Sequence, residues 1–396
     1  MRRAAFILFV LGITLFLPQL ISSQEASAKK PRARDLGVPF DGAPGPNNAI
    51  TDVAGVTVGH TTLISGEGKL VVGKGPVRTG VTAILPRGKE TMMNPVFAGW
   101  FAQNGNGEMT GTTWVEESGF LEGPLMITNT HSVGVVRDAV IQWRVEHGQP
   151  DASGYWWSLP VVAETWDGWL NDINGFHVTA DDAFHAIDTA QSGHVDEGNV
   201  GGGTGMVCNG FKGGIGTSSR KLLEKDGGYT VGVLVQCNYG SRRNLRIAGI
   251  PVGREISSED PYAYQPSDIS ERGSIIIVIA TDAPLLSTQL KRLAHRATLG
   301  LGRMGSISGD GSGDIFIAFS TANPGAWASK MVTDVKMLPN ESLDPIFAAV
   351  VEATEESIVN AMIAADSMTG INNHHVTAMP RDQLRAVLKK YNRLVE

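Results

Sequence analysis

Six runs of β-branched and other apolar residues recur along the chain: GVTVGHTTLI (55–64), TGVTAILP (79–86), GPLMITNT (123–130), YTVGVLVQCN (229–238), SIIIVIAT (274–281) and DIFIAFST (314–321). Gly, Pro or Asp stands at their borders, and such runs predict β-strands. Ile275–Ala280 is apolar throughout and predicts a buried strand. Between the runs the period lengthens. Residues 282–302 place Leu286, Leu290, Leu293, Ala297 and Leu301 on one helical face, with Asp282 in an N-cap position and Pro284 in the first turn. Residues 343–365 predict a second helix. Strands mixed with helices predict a layered α/β fold. Strand 275–280, the helix after it and strand 314–320 would form a β-α-β unit.

One segment has no period. Residues 255–273 (EISSEDPYAYQPSDISERG) are polar and rich in Ser and Pro, and they end directly before Ser274. A long structureless stretch of this kind is usually functional or disordered.

Composition narrows the class. The chain has 396 residues, 33 basic and 40 acidic, for a net charge of −7. Without any basic run, nucleic acid and anionic membrane surfaces are not expected as partners. Residues 1–28 carry Arg2-Arg3, an apolar core, Pro18 and Ala26-Ser27-Ala28, the order of a secretory signal peptide rather than a retained anchor. Cleavage after Ala28 would leave a chain of charge −8 in the periplasm or medium, with no membrane attachment. Cys208 and Cys237 are the sole cysteines. A disulfide is allowed in that compartment, but two cysteines in strand-like runs are expected to be apolar fillers. No composition break divides the remainder, which predicts one domain.

Familiar chemical signatures are missing. There is no G-x-S-x-G elbow and no H-E-x-x-H, and the neighbours His374 and His375 do not have ligand spacing, so no metal and no cofactor is expected. GNVGGGTG (198–205) lacks the Lys-Ser/Thr of a phosphate loop and is expected to be a tight turn. Ser274 remains. If strands 275–280 and 314–320 are parallel, Ser274 shares a sheet edge with Ser312 and Asp314 of GDGSGD. The plain alternative is a small polar loop.

Longer motifs carry a resemblance. NAITDVAGVTVGHTTLISGEG, VVGKGPVRTGVTAILPRG, LPVVAETWDG, EGNVGGGTGMVCNGFKGGIGTSSR, YTVGVLVQCNYG, IIIVIATDAPL and EATEESIVNAMIAADSMTG resemble the self-processing serine aminopeptidases across residues 35–390. That family includes the L-aminopeptidase/D-esterase-amidases and the β-peptidyl aminopeptidases, and it shares its fold with the ornithine acetyltransferases. The resemblance implies a four-layer α-β-β-α sandwich and autocleavage between Gly273 and Ser274. The α chain 29–273 and β chain 274–396 would stay associated, as a tetramer of such pairs. It also implies Ser274 as nucleophile, Ser312 and Asp314 as the residues that orient it and tune its protonation, and Asn238 as oxyanion donor. Glu164 would bind the substrate ammonium. Where Asp314 stands, Glu is common in the family. Trp166 replaces a Tyr of one branch and implies an apolar wall of the substrate pocket, because indole cannot accept a proton. The implied substrates are short peptides and amides with a free N-terminus, β-amino acids first, with L-residue or D-Ala amides as the alternative. Acyl transfer of the ornithine acetyltransferase kind, or a non-enzymatic binding role, would also fit the same scaffold.

Overall fold

The computed structural model describes residues 30–90, 94–148, 154, 157–261, 271–327 and 332–396. Residues 1–28, expected to be a secretory signal, and residues 262–270 of the Pro- and Ser-rich segment before Ser274 lie outside these residues. Residues 31–396 pack as one unit.

The strands are β1 (Thr57–Ser65), β2 (Val77–Lys89), β3 (Val96–Gly105), β4 (Phe120–Leu121), β5 (Leu125–Asn129), β6 (Val161–Thr165), β7 (Val207–Cys208), β8 (Phe211–Lys212), β9 (Gly214–Lys221), β10 (Thr230–Asn238), β11 (Arg272–Thr281) and β12 (Gly311–Ser320). The helices are α1 (Thr112–Ser118), α2 (Val133–His147), α3 (Ala180–Asp188), α4 (Val252–Glu255), α5 (Ser287–Arg303), α6 (Asp344–Ile363) and α7 (Arg381–Lys390). One sheet has the order β1-β2-β5-β6 and the other the order β4-β3-β12-β11-β10-β9.

Side-chain alternation explains the layers. In β11, Ile276, Val278 and Ala280 join Leu234, Ile317 and Phe319 against Ile84, Leu125, Ile127 and Ala163 of the other sheet. Ile275, Ile277 and Ile279 face the opposite way, onto Leu290, Leu293 and Ala297 of α5 and Val350 and Met362 of α6. In the smaller sheet, Val81, Ala83, Leu85 and Met126 turn outward onto Val136 and Val140 of α2 and Ala183 and Ile187 of α3. The result is the expected α-β-β-α sandwich. Strand β11 is buried on both faces, which is why its sequence is apolar throughout Ile275–Ala280.

Strands β11 and β12 are parallel and joined through α5, with Ser274 opposite Gly313. The helix starts later than its apolar period predicts. Its N-cap residue is Leu286, whose N–H donates to Gln289 Oε1 at 3.1 Å. Asp282 instead accepts the Thr230 N–H at 2.7 Å, which keeps the chain extended up to Pro284.

Two further differences concern the turns around the site. Cys208 and Cys237 are joined in a disulfide, with Cα atoms 5.6 Å apart, because the short β7–β8 hairpin lies against the end of β10. The expected apolar fillers are thus a covalent link. Ser274 also stands inside its strand, as the third residue, since β11 begins at Arg272. The Gly-rich stretch is a buried turn, Gly201–Gly203. Its N–H groups donate to Thr62 Oγ1 at 2.9 Å, Thr82 Oγ1 at 3.1 Å and the Val200 carbonyl at 2.9 Å, so no phosphate cradle is left. Among the described residues, no helix is long and apolar enough to cross a membrane, and no group of three or more His, Cys, Asp or Glu could hold a metal ion.

Candidate active site

The site is built where the larger sheet brings three neighbouring strands to one end. Ser274 of β11 lies opposite Asn238 of β10 and, on its other side, Gly313 of β12. Residues opposed across an antiparallel pair share a face, with Cβ atoms ~5 Å apart. Ser274 and Asn238 continue the face of Ile276 and Leu234, toward the smaller sheet.

Gly313 is tight against the serine. A Cβ there would lie 2.9 Å from Ser274 Oγ and 2.4 Å from the Asn106 carbonyl oxygen. Glycine at 313 therefore keeps the space beside the hydroxyl open.

Gly273 precedes the serine with φ +103°, and an added Cβ would meet the Asn238 carbonyl oxygen at 2.0 Å. An L side chain is excluded twice, by conformation and by space. The carbonyl of Gly273 is consequently unshielded by any side chain of its own residue.

Asn238 is held from both ends. Its Oδ1 accepts the Val207 N–H at 2.8 Å, and its Nδ2 donates to the Trp166 carbonyl at 2.8 Å. One amide hydrogen of Nδ2 is left for another acceptor.

Ser312 and Asp314 lie beside Ser274 in register, yet strand alternation puts them on the other face, with Phe316 and Ala318. Ser312 Oγ donates to Asp314 Oδ1 at 2.6 Å, and both side chains are fully buried. Burial pushes the Asp314 carboxyl up, against the opposing hydrogen bonds of Ser312, Ser308 and the Ile275 N–H. The pair thus backs onto the main chain of residues 273–275, where Asp314 accepts the Ile275 N–H, and lies on the face opposite to the Ser274 Oγ.

Glu164 is the last residue but one of β6 in the smaller sheet. Its carboxylate accepts the Glu108 N–H at 3.0 Å and the Thr130 hydroxyl. Burial raises its pKa, opposed by those two bonds, while the Glu108 carboxylate raises it further and His131 lowers it. Gly107 connects it to the serine. A Cβ at 107 would sit 3.2 Å from both Glu164 Oε1 and Gly313 Cα. A buried acid is therefore two close contacts away from the residue beside Ser274. Trp166 follows it, 43% exposed, with its indole over Gly168.

The residues expected from sequence thus converge, and several others join them. Asn104 Nδ2 donates to the Ser312 carbonyl at 2.5 Å, and Asn106 Nδ2 to the Gly311 carbonyl at 3.0 Å. Glu271 accepts the Ile307 N–H at 2.8 Å and the Ser306 hydroxyl, fixing the loop before β12. The Asn-Gly pairs of 104–107 signal a turn in sequence, but not the strands it clamps.

A family model described as peptidase family S58 matches residues 48–376. The chain belongs to peptidase family S58. The β-peptidyl aminopeptidase BapA of Sphingosinicella microcystinivorans is 59% identical over 380 residues, covering 93% of this chain and 94% of that protein. BapA of Sphingosinicella xenopeptidilytica is 50% identical over 392 residues and covers 96% of each. Among solved structures, the L-aminopeptidase D-Ala-esterase/amidase of Ochrobactrum anthropi, a prototype serine aminopeptidase with a variant of the Ntn hydrolase fold, superposes with a TM-score of 0.86. It is 50% identical and covers 92% of this chain and 100% of its own. A Burkholderia sp. β-aminopeptidase superposes with a TM-score of 0.82 at 47% identity, over 91% and 98% of the two chains. The S58 chain is accordingly a serine aminopeptidase with the Ntn hydrolase fold. The geometry sets the Ser274 hydroxyl beside Gly313 and opposite Asn238, with the buried Glu164 carboxylate reached through Gly107.

Proposed function

We propose that this aminopeptidase is exported, activates itself by cutting Gly273–Ser274, and removes β-amino-acid residues from the N-termini of short peptides and amides. The observation that carries the reading is the position of that bond. An unshielded glycyl carbonyl precedes a serine flanked by Asn238 and Gly313, with Ser312 and Asp314 paired with Gly273 and Ile275 on either side of it.

In activation, Ser274 Oγ adds to the Gly273 carbonyl carbon. The C–N bond breaks, and the hydroxyl proton ends on the departing nitrogen. An ester joins Gly273 to Oγ until water cleaves it, leaving a Gly273 carboxylate, a free hydroxyl and a new α-amine on Ser274. Such an amine titrates near ~8 in isolation and serves as base for its own hydroxyl. Ser312 and the Asp314 carboxylate hold that nitrogen and set its proton affinity.

In turnover the amine takes the proton of Oγ, which attacks the substrate carbonyl. The Asn238 amide donates to the developing oxyanion, an interaction worth about 3 kcal/mol of barrier. The leaving amine takes the proton, and water releases the acyl residue. Glu164 pairs with the substrate ammonium, which is why free N-termini are selected. Trp166 forms an apolar wall of the pocket.

The β-preference rests on the identity with the two β-peptidyl aminopeptidases. Export is supported by the disulfide, which persists in oxidising compartments. The two chains remain associated, and αβ pairs assemble as tetramers. A panel of α-, β- and D-aminoacyl p-nitroanilides, free and N-acetylated, tests the substrate. Free β-aminoacyl compounds should give the highest kcat/KM and acetylated ones none. Equal rates on free and acetylated compounds would contradict the reading, and a D-Ala preference would move the enzyme to the amidase branch.

A further inference from the structure

The Cys208–Cys237 link lies beside the site on both of its strands. Cys237 immediately precedes Asn238, and Cys208 immediately follows Val207, whose N–H holds Asn238 Oδ1 at 2.8 Å. The disulfide and this hydrogen bond therefore close a small ring of covalent and polar contacts around the Asn238 side chain. We propose that the disulfide is a positioning device for the Asn238 amide, and through it for the oxyanion.

The β7–β8 hairpin needs such a tie. It pairs with itself, Val207 with Lys212 and Cys208 with Phe211, and not with β10. Its turn residues Asn209 and Gly210 both have positive φ, the conformation of a tight two-residue hairpin turn. What holds the hairpin to the end of β10 is the disulfide, the Asn209 N–H to the Tyr239 carbonyl at 2.7 Å, and Val207 to Asn238 itself. Arg242 adds a bond to the Asn209 carbonyl at 3.1 Å. Of these ties, apart from the Val207–Asn238 bond itself, only the covalent link acts within one residue of both Val207 and Asn238.

The orientation matters because Asn238 is an amide with two different ends. With Oδ1 on the Val207 N–H, Nδ2 is the end that donates to the Trp166 carbonyl and keeps one hydrogen for a further acceptor. If Val207 moves away, Oδ1 loses its donor, and the amide is free to rotate its acceptor end toward the oxyanion. An acceptor there repels the developing charge that a donor would stabilise. The main-chain carbonyl of Asn238 also borders Gly273, so the tie sits beside the bond proposed for self-cleavage.

This rests on Asn238 donating to the oxyanion as proposed above. The test compares Cys208→Ala, Cys237→Ala and the double variant, each with Asn238 intact and with Asn238→Ala. Circular dichroism verifies the fold, and kcat, KM and the half-time of self-cleavage are measured. With Asn238 intact, kcat should fall about tenfold or more, as for a displaced catalytic group, with KM within about twofold by the same principle. The three cysteine variants should match one another, since losing either sulfur breaks the same bond. With Asn238→Ala, the cysteine changes should alter kcat by less than about twofold, the signature of full coupling. Should the variants not fold, reduction of wild-type protein by a trialkylphosphine in mild denaturant, with alkylation to count freed thiols, makes the same comparison. Unchanged kcat after loss of the link, or an equal loss in both Asn238 backgrounds, overturns the proposal. If Asn238→Ala alone leaves kcat unchanged, the oxyanion assignment falls, and the coupling with it.

Discussion

Gly273 and Glu164 are the residues at which this account is most exposed. At Gly273 a methyl group would fall 2.0 Å from a backbone oxygen, in a conformation that L-residues avoid. Gly273→Ala should slow self-cleavage at least about tenfold by displacing the carbonyl from the hydroxyl, as read by the half-time of the intact chain on denaturing gels. An unchanged half-time would show that the strand tolerates the shift. At Glu164 burial holds the carboxyl above its ordinary range. Ammonium binding needs the ionised form, so KM should rise as pH falls through that raised pKa, at a pH where an exposed glutamate would still be charged. Glu164→Gln should raise KM about tenfold or more, the cost of losing a charge-assisted bond of ~1.5–3 kcal/mol, and flatten the acid limb. Steady-state kinetics from pH 5 to 8 distinguish this from a loss in kcat.

The elements differ in how openly the sequence announced them. Strand β11 was legible because both of its faces are apolar. Ile277→Ala should cost about 3 kcal/mol, measured by urea unfolding of the Ser274→Ala chain. Strand β9 was not legible, because Thr217, Ser218 and Ser219 are buried there through hydrogen bonds rather than apolar contact. Their hydroxyls reach Val233, Ala353 and Asp52. Strand β3 carries Gly99, which lets Lys291 of α5 approach to 2.4 Å from where a Cβ would stand, and it bulges opposite Asp314. Close approach and bulging both blur the strand pattern. The segment before β1 is a further case. Arg34 donates two bonds of 2.8 Å to the fully buried Glu356, which also pairs with Arg220. Burial alone would raise the Glu356 pKa, but the Arg34 bonds, the Arg220 charge and Asn48 hold it below the ordinary range. A lowered carboxyl stabilises the fold above its unfolded pKa and loses that contribution as pH falls through the folded value. Arg34→Ala should therefore destabilise by about 3 kcal/mol at neutral pH, and by less in acid. A pH-independent loss would mean that packing, not charge, is what Arg34 supplies.

For the whole molecule, the layered fold followed from the runs and periods, and the positions of Ser274, Ser312 and Asp314 at one sheet edge followed from the parallel crossover. The route by which Glu164 and Asn238 reach them did not. It depends on the β10–β11 pairing that sets Asn238 opposite Ser274 and on the loop at 104–107, contacts between segments far apart in sequence that no local pattern encodes. The pH dependence of stability is also a property of the assembled fold. Asp167, fully buried, is raised to about 7 by burial, against hydrogen bonds from Thr79, Asn171 and Asn129. The folded chain keeps a proton there that the unfolded chain loses near pH ~4. Stability should thus fall as pH rises from about 4 to about 7, by on the order of 4 kcal/mol. Asp167→Asn should flatten that slope in calorimetric scans, and an unchanged slope would place the titration elsewhere. The central claim is that Ser274 becomes the N-terminus of a new chain. Intact-mass analysis and N-terminal sequencing of purified active protein test it directly. The account predicts two fragments, one ending at Gly273 and one beginning at Ser274, both absent from Ser274→Ala. A fully active preparation with a single uncut chain would contradict it.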